Sequence, residues 1–138
     1  MQTFLPYPCF HESAACLDNK RLGKQRVEAL TILKTLCGLS VGWRHHPAVK
    51  MWAGHEWSLL RYLEACVDEW ERRGFKDSCR ANGRLLWSTR FIDSTIPDWL
   101  GYPDFHASHR SNLLRKDPVW YGRFGWLEDT SLPYVWPV

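Results

Sequence analysis

The segment Leu59-Leu-Arg-Tyr-Leu63-Glu-Ala-Cys66-Val-Asp-Glu-Trp70-Glu71-Arg-Arg-Gly74 decides the fold class. Leu59, Leu63, Cys66 and Trp70 recur at helical spacing on one face, while Arg61, Glu64, Asp68 and Glu71 occupy another and Gly74 supplies a stop. Working outward, Leu22, Arg26, Leu30, Leu33 and Cys37 form a second stripe, ended by Gly38. His11 to Asp18 reads as a short helix, and Pro47 as the first residue of another reaching Trp52. Asp77 to Phe91 is a weaker helix interrupted by Gly83. Pro97 and Pro103 bracket a turn-rich link, after which His106 to Lys116 is helical until Pro118. Pro6 and Pro8 keep Met1 to Pro8 extended. No strand signal exceeds a few residues, so the sequence predicts an all-α protein. It is a compact helical bundle forming a single domain over residues 1–138, with an irregular N-terminal arm and an aromatic C-terminal tail.

With 138 residues, 45% of them hydrophobic, the chain can bury a core without disulfide staples. Its five cysteines are widely spaced, lack a C-x-x-C pair and read as reduced, packed thiols. No apolar run approaches the roughly 18 residues of a membrane span. The first residues lack the plan of a secretory signal, and the expected location is the cytoplasm. A monomer without metal or other cofactor is expected.

The formal net charge of +3 is modest, but its distribution is uneven. Lys20, Arg21, Lys24 and Arg26 fall within one short acid-free segment, and Arg110, Arg115, Lys116 and Arg123 within another that contains only Asp117. Brought together, these segments would bind phosphates. Nine tryptophans are unusually many for this length. Trp52, Trp57, Trp70 and Trp87 lie in helical patterns and read as core. Trp120, Tyr121, Phe124, Trp126, Tyr134 and Trp136 could cover the core or stack on bases, with covering favoured. Arg26 interrupts an apolar stripe, and an inward guanidinium needs an acid or a wet cleft. His55, four residues before Leu59, extends the stripe of the other helix.

Three motifs occur in one order: His46-Pro-x4-Trp52-Ala-Gly-His55, the helix running into Glu71-Arg-Arg-Gly-Phe75, and His109-x-Ser111 followed by Pro118-Val-Trp120-Tyr121. In that order the chain resembles the pyrimidine-dimer DNA glycosylase/AP lyases of bacteriophage, the endonuclease V type. It is similar over nearly its whole length to a group of uncharacterised bacterial proteins that share the Met1-Gln-Thr-Phe-Leu-Pro-Tyr-Pro8, Arg21-Leu-Gly-Lys-Gln-Arg-Val27 and His109-Arg-Ser-Asn-Leu-Leu-Arg-Lys-Asp-Pro118 strings.

The resemblance implies a helical enzyme whose terminal amine attacks the sugar C1′ of a damaged nucleotide, aided by a glutamate and arginines of an early helix. An α-amine titrates near about 8 rather than about 10.4 for lysine and so offers more neutral nucleophile. Arg26 matches a family arginine, whereas the glutamate position falls on Gly23 and the preceding arginine position on Leu22, beside Arg21. Gln2 follows Met1 where the family has threonine, which assigns the amine to Met1. Asp18 and Glu28 are the substitute acids, Lys20 and Lys24 the substitute amines.

The leading reading is a DNA glycosylase, with or without AP-lyase activity, that extrudes a damaged or modified base. Its catalytic candidates are Met1, Arg26, His55 and His109, with the Met1 amine or an activated water as nucleophile. Its nucleic-acid contacts, to DNA in preference to RNA, fall on Lys20, Arg21, Lys24, Arg110, Asn112, Arg115, Lys116, Trp120 and Tyr121. The second reading is a catalytically inactive nucleic-acid-binding module of the same fold. The third is an enzyme on a small nucleoside-like substrate or a metal-dependent hydrolase using His45, His46, His55, His106 and His109.

Overall fold

A computed structural model describes residues 1–90 and 95–138. Phe91, the expected end of the weaker helix, lies outside the described residues. Helices α1 (Phe10–Cys16), α2 (Asn19–Leu36), α3 (Pro47–Lys50), α4 (Glu56–Arg72), α5 (Cys79–Arg90), α6 (Pro103–Lys116) and α7 (Pro118–Tyr121) follow one another, with a 3-10 turn at Gly122–Phe124. The described residues are helical or irregular and contain no strand, which makes the fold all-α. Among them no helix is long and apolar enough to cross a membrane.

The two stripes read from sequence face each other. Helix α4 packs against α1, α2 and α5, and α2 also packs against α5. Leu22, Leu33, Leu59, Leu63 and Cys66 are fully buried between them. Gly38 and Gly74 end α2 and α4 at positive φ, 84° and 95°, where a side chain would be strained. Gly83 does not break α5. A Cβ there would lie 3.2 Å from Leu63 and 3.3 Å from Leu60, so the glycine permits α5 to approach α4 closely. Helix α6 starts at Pro103, three residues earlier than expected, because proline at the first helical position needs no hydrogen bond.

Of the tryptophans expected in the core, Trp52 is fully buried and Trp70 and Trp87 pack partly against it. Trp57 is instead 40% exposed. It lies outside the α4 stripe, with its ring 5.0 Å from Trp87 and the Arg61 guanidinium 5.6 Å above it. All five cysteines are free thiols, and burial pushes those of Cys16 and Cys66 up to about 12.

Arg26 meets an acid rather than a wet cleft. Its Nη1 donates to Asp77 Oδ1 at 2.5 Å and its guanidinium lies 4.4 Å over the Trp70 ring. Burial disfavours charge on the Asp77 carboxylate, but hydrogen bonds from the Arg80 amide, the Arg26 guanidinium and the Cys79 amide outweigh it and hold the carboxyl below its usual range. Since the Asp77 side chain is only 2% exposed, Asp77→Ala strands a largely buried guanidinium. We expect it to cost about 3–5 kcal/mol of stability, measured by urea unfolding. A loss below about 1 kcal/mol would show that the pair is not what holds Arg26 inside.

The N-terminal arm is held by residues from distant parts of the chain. Residues 2–6 are buried, threading the bundle as neither helix nor strand. Side chains replace the missing ladder. Gln25 accepts from the Phe4 amide at 2.8 Å and donates to the Gln2 carbonyl at 2.9 Å. Tyr62 donates its hydroxyl to the Phe4 carbonyl at 2.8 Å. His109 Nδ1 accepts from the Leu5 amide at 2.8 Å, and His106 Nδ1 bonds the Leu5 carbonyl at 2.7 Å. Because His106 Nε2 accepts from the Gly101 amide at 2.9 Å, its proton must sit on Nδ1. Buried backbone groups require such partners, and these five bonds fix the direction in which the arm emerges.

Candidate active site

The arm emerges into a cavity of about 370 Å³ lined by Met1, Gln2, Phe4 and Tyr134 together with five residues of α2, Lys20, Arg21, Lys24, Gln25 and Glu28, and by Lys116 at the end of α6. Lys20, Lys24 and Glu28 stand at i, i+4 and i+8 and share one line along α2, with Arg21 and Gln25 beside it. The concavity thus collects four cationic side chains and the Met1 amine around one carboxylate. Glu28 Oε2 accepts from the Gln2 amide at 2.8 Å, which ties the first peptide bond to the acid.

Gly23 faces another way. A Cβ at this position would come within 2.8 Å of the Trp70 indole, so a glutamate there would collide with α4. Of the two substitute acids, Glu28 lines the cavity, whereas Asp18 is engaged at the start of α2. Asp18 accepts from the Tyr121 hydroxyl at 2.5 Å and from Arg21 at 3.1 Å. Burial opposes ionisation of Asp18, but these two hydrogen bonds outweigh it and hold the carboxyl low.

The expected site residues therefore divide. Met1, Lys20, Arg21, Lys24 and Lys116 line one cavity. Arg26 stands on the opposite side of α2, against Asp77 and Trp70. His55 stands at the N-cap position of α4 without a side-chain capping bond, and its Nδ1 bonds Thr95, 2.9 Å from the carbonyl oxygen. His109 is fully buried behind the arm, where burial and the neighbouring His106 push its imidazole down to about 3 and keep it neutral.

On the second basic segment, several donors are used within the protein. Arg110 pairs with Glu128 and donates to the Pro6 carbonyl at 2.7 Å. Asn112 is buried and donates to the Ser108 and Leu132 carbonyls, at 2.8 and 3.1 Å. Arg115 holds Asn112 and the Thr130 carbonyl. Trp120 donates to the Cys16 carbonyl at 2.8 Å beneath the Arg123 guanidinium, and Tyr121 is buried against Asp18. Through Ser111, Asn112 and Arg115, α6 straps the C-terminal tail down, and Tyr134 of the tail lines the cavity.

His46 is among the histidines that the third reading assigned to a metal-dependent hydrolase. It does cap α3, its Nδ1 accepting from the Ala48 amide at 3.0 Å. Burial and then the positive charge of the Met1 amine hold its imidazole below the usual range, while Glu28 pulls the other way. His45 is exposed beside Arg44. Among the described residues no group of three His, Cys, Asp or Glu side chains is placed to hold a metal ion. The pattern Lys20, Lys24, Glu28 was available in the sequence as a polar line opposite the apolar stripe, but nothing local tied it to residue 1.

An all-α protein that exposes an amine and an acid in a cationic hollow has the parts of a nucleic-acid-processing enzyme. The model of the family described as pyrimidine dimer DNA glycosylase matches residues 1–82, more than half of the chain, and the protein belongs to that family. Comparison with curated proteins and with solved structures gives no significant match. Family membership assigns the chain to DNA glycosylases of DNA repair and implies a DNA substrate.

Proposed function

We propose that this protein is a DNA glycosylase with an associated AP-lyase step, in which the Met1 amine is the nucleophile and Glu28 handles the protons. The observation that carries this reading is the shared cavity of Met1, Gln2 and Glu28, with the Gln2 amide 2.8 Å from Glu28 Oε2. A nucleotide extruded from the duplex presents C1′ to the amine. The amine nitrogen bonds to C1′ as the C1′–base bond breaks, and the base leaves with the bonding electrons and a proton. Glu28 is suited to stabilise the positive charge developing on the sugar. After ring opening to the imine, a carboxylate removes the C2′ proton, the C3′–O bond breaks, and water releases the protein. Lys20, Arg21, Lys24 and Lys116 hold the flanking phosphates, a sequence-independent role. In this scheme Arg26, His55 and His109 act at a distance, by holding α2, α4 and the arm.

The test is borohydride trapping on an ultraviolet-irradiated duplex and on an abasic duplex, with the adduct located by peptide mass. We expect one covalent adduct, on the peptide beginning at Met1. An adduct on Lys20, Lys24 or Lys116 would move the nucleophile to a side chain. Base release without any adduct would assign it to water. Salt-sensitive binding with neither release nor adduct would favour the inactive binding module.

A further inference from the structure

Between Glu28 and Glu56 the chain carries no acid, and the loop that joins α2 to α3 lies within that interval. Its residues Leu39, Val41 and Trp43 are exposed, Trp43 by 47%, and so are Arg44 and His45 beside them. Three large apolar side chains left in water within five residues mark a contact surface. The basic side chains indicate the sign of the partner. Elsewhere arginines such as Arg26, Arg73 and Arg110 pair with carboxylates, but Arg44 meets no acid among the described residues and donates through Nε to His45 Nε2 at 3.2 Å. The loop is a built element: the Leu39 amide donates to the Lys34 carbonyl and the His46 amide to the Trp43 carbonyl, both at 2.9 Å. Open space surrounds it at Gly38 and Gly42, where an added Cβ would meet nothing within 4 Å. It is also continuous with the face that bears the cavity. Trp43 meets His46 at 5.6 Å, His46 meets Trp136 at 5.6 Å, and Trp136 meets Tyr134 of the cavity wall at 5.5 Å, so a row of rings leads from the cavity out to the loop.

We infer that this loop is a second contact with duplex DNA, in which Trp43 inserts between base pairs beside the extruded nucleotide while Arg44 neutralises a phosphate. The inference deepens the glycosylase reading above and rests on it for the extruded nucleotide. A nucleotide that leaves the helix takes its stacking with it, and an apolar ring wedged into the neighbouring step offsets that loss and holds the duplex kinked. The indole suits this task because its face is large and rigid, and a cation next to it on the loop meets the backbone that the wedge brings near. His46 and Trp136 act as a spacer, which places the wedge beside the cavity and outside it.

The experiment compares wild-type protein, Trp43→Ala, Trp43→Phe and Arg44→Ala on a duplex that carries a stable abasic analogue and, next to it, 2-aminopurine, whose fluorescence reports its stacking. Wild type should bind and change the fluorescence. Trp43→Ala should bind at least about 10-fold more weakly and lose the change, and Trp43→Phe should recover most of both. Arg44→Ala should keep the fluorescence change but lower the salt dependence of binding by about one phosphate contact. Unchanged affinity and fluorescence in Trp43→Ala would overturn the inference. So would a second copy of the chain seated on the loop, seen in sedimentation as a wild-type dimer that Trp43→Ala converts to monomer. Both changed side chains are exposed, and urea unfolding checks that each variant is folded. The binding readout needs no chemistry, so absence of a borohydride adduct would sink the glycosylase mechanism and leave this comparison decisive. Normal base release by Trp43→Ala together with normal binding would sink the wedge alone.

Discussion

Glu28→Gln should lower the rate of base release by about 100-fold or more, while shifting stability by less than about 1 kcal/mol. The separation of the two effects follows from what the carboxylate does. As a structural acceptor, Glu28 Oε2 takes one hydrogen bond, from the Gln2 amide at 2.8 Å, and the amide oxygen of glutamine can take the same bond. The arm should therefore stay where it is. As a chemical group, the carboxylate supplies negative charge beside a developing sugar cation and a base for the elimination, and glutamine supplies neither. Single-turnover measurement on irradiated duplex, with unfolding in urea as the control, checks both halves. A variant that excises at near the wild-type rate would show that this acid takes no part in the chemistry. Asp18 could not readily replace it, since Tyr121 and Arg21 already occupy that carboxylate.

The location of this acid shows what a single sequence can and cannot reveal. Helices α2 and α4 were legible because their apolar residues repeat with the helix, and their stops were legible because Gly38 and Gly74 follow directly. The direction faced by residue 23 was not legible. It depends on Trp70, more than forty positions away, whose ring fills the space a side chain would need. The same ring and Asp77 draw Arg26 away from the cavity, although its residue type and spacing fitted a phosphate contact.

The second basic segment shows a different limit. Its charges were counted correctly, but Arg110 and Arg115 spend their donors on the tail and the arm, and only Lys116 of that segment lines the cavity. Which cations remain available depends on carbonyls of residues 6 and 130, and such pairings have no local signature. The arm is the strongest case. Two prolines correctly announced extended chain, yet exposure or burial was decided by Gln25, Tyr62, His106 and His109, each bonding it from a distant part of the sequence.

That dependence makes His109 a position where a substitution should cost much stability. Its side chain is fully buried, its ring centroid is 4.5 Å from that of Phe105 and 5.6 Å from that of Tyr134, and its Nδ1 is the partner of the Leu5 amide. His109→Ala removes the ring volume and strands a buried N–H, so we expect a loss of about 3–5 kcal/mol. His109→Asn retains an acceptor and should recover part of it. Acid should act through the same residue. A proton on Nδ1 would oppose the Leu5 amide, and burial together with His106 holds the folded imidazole down to about 3, against about 6.5 in an unfolded chain. The unfolded state therefore takes up this proton first. The stability due to neutral His109 is complete above about pH 6.5 and is lost progressively as the pH falls toward 3. Urea unfolding at pH 7 and pH 5 should show wild type losing more stability between the two than His109→Asn. Equal losses would mean that this histidine is not the acid-sensitive tie on the arm. Because the arm ends at Met1, the same variant should also slow adduct formation beyond what its unfolded fraction explains, linking the fold's most buried imidazole to the position of the nucleophile.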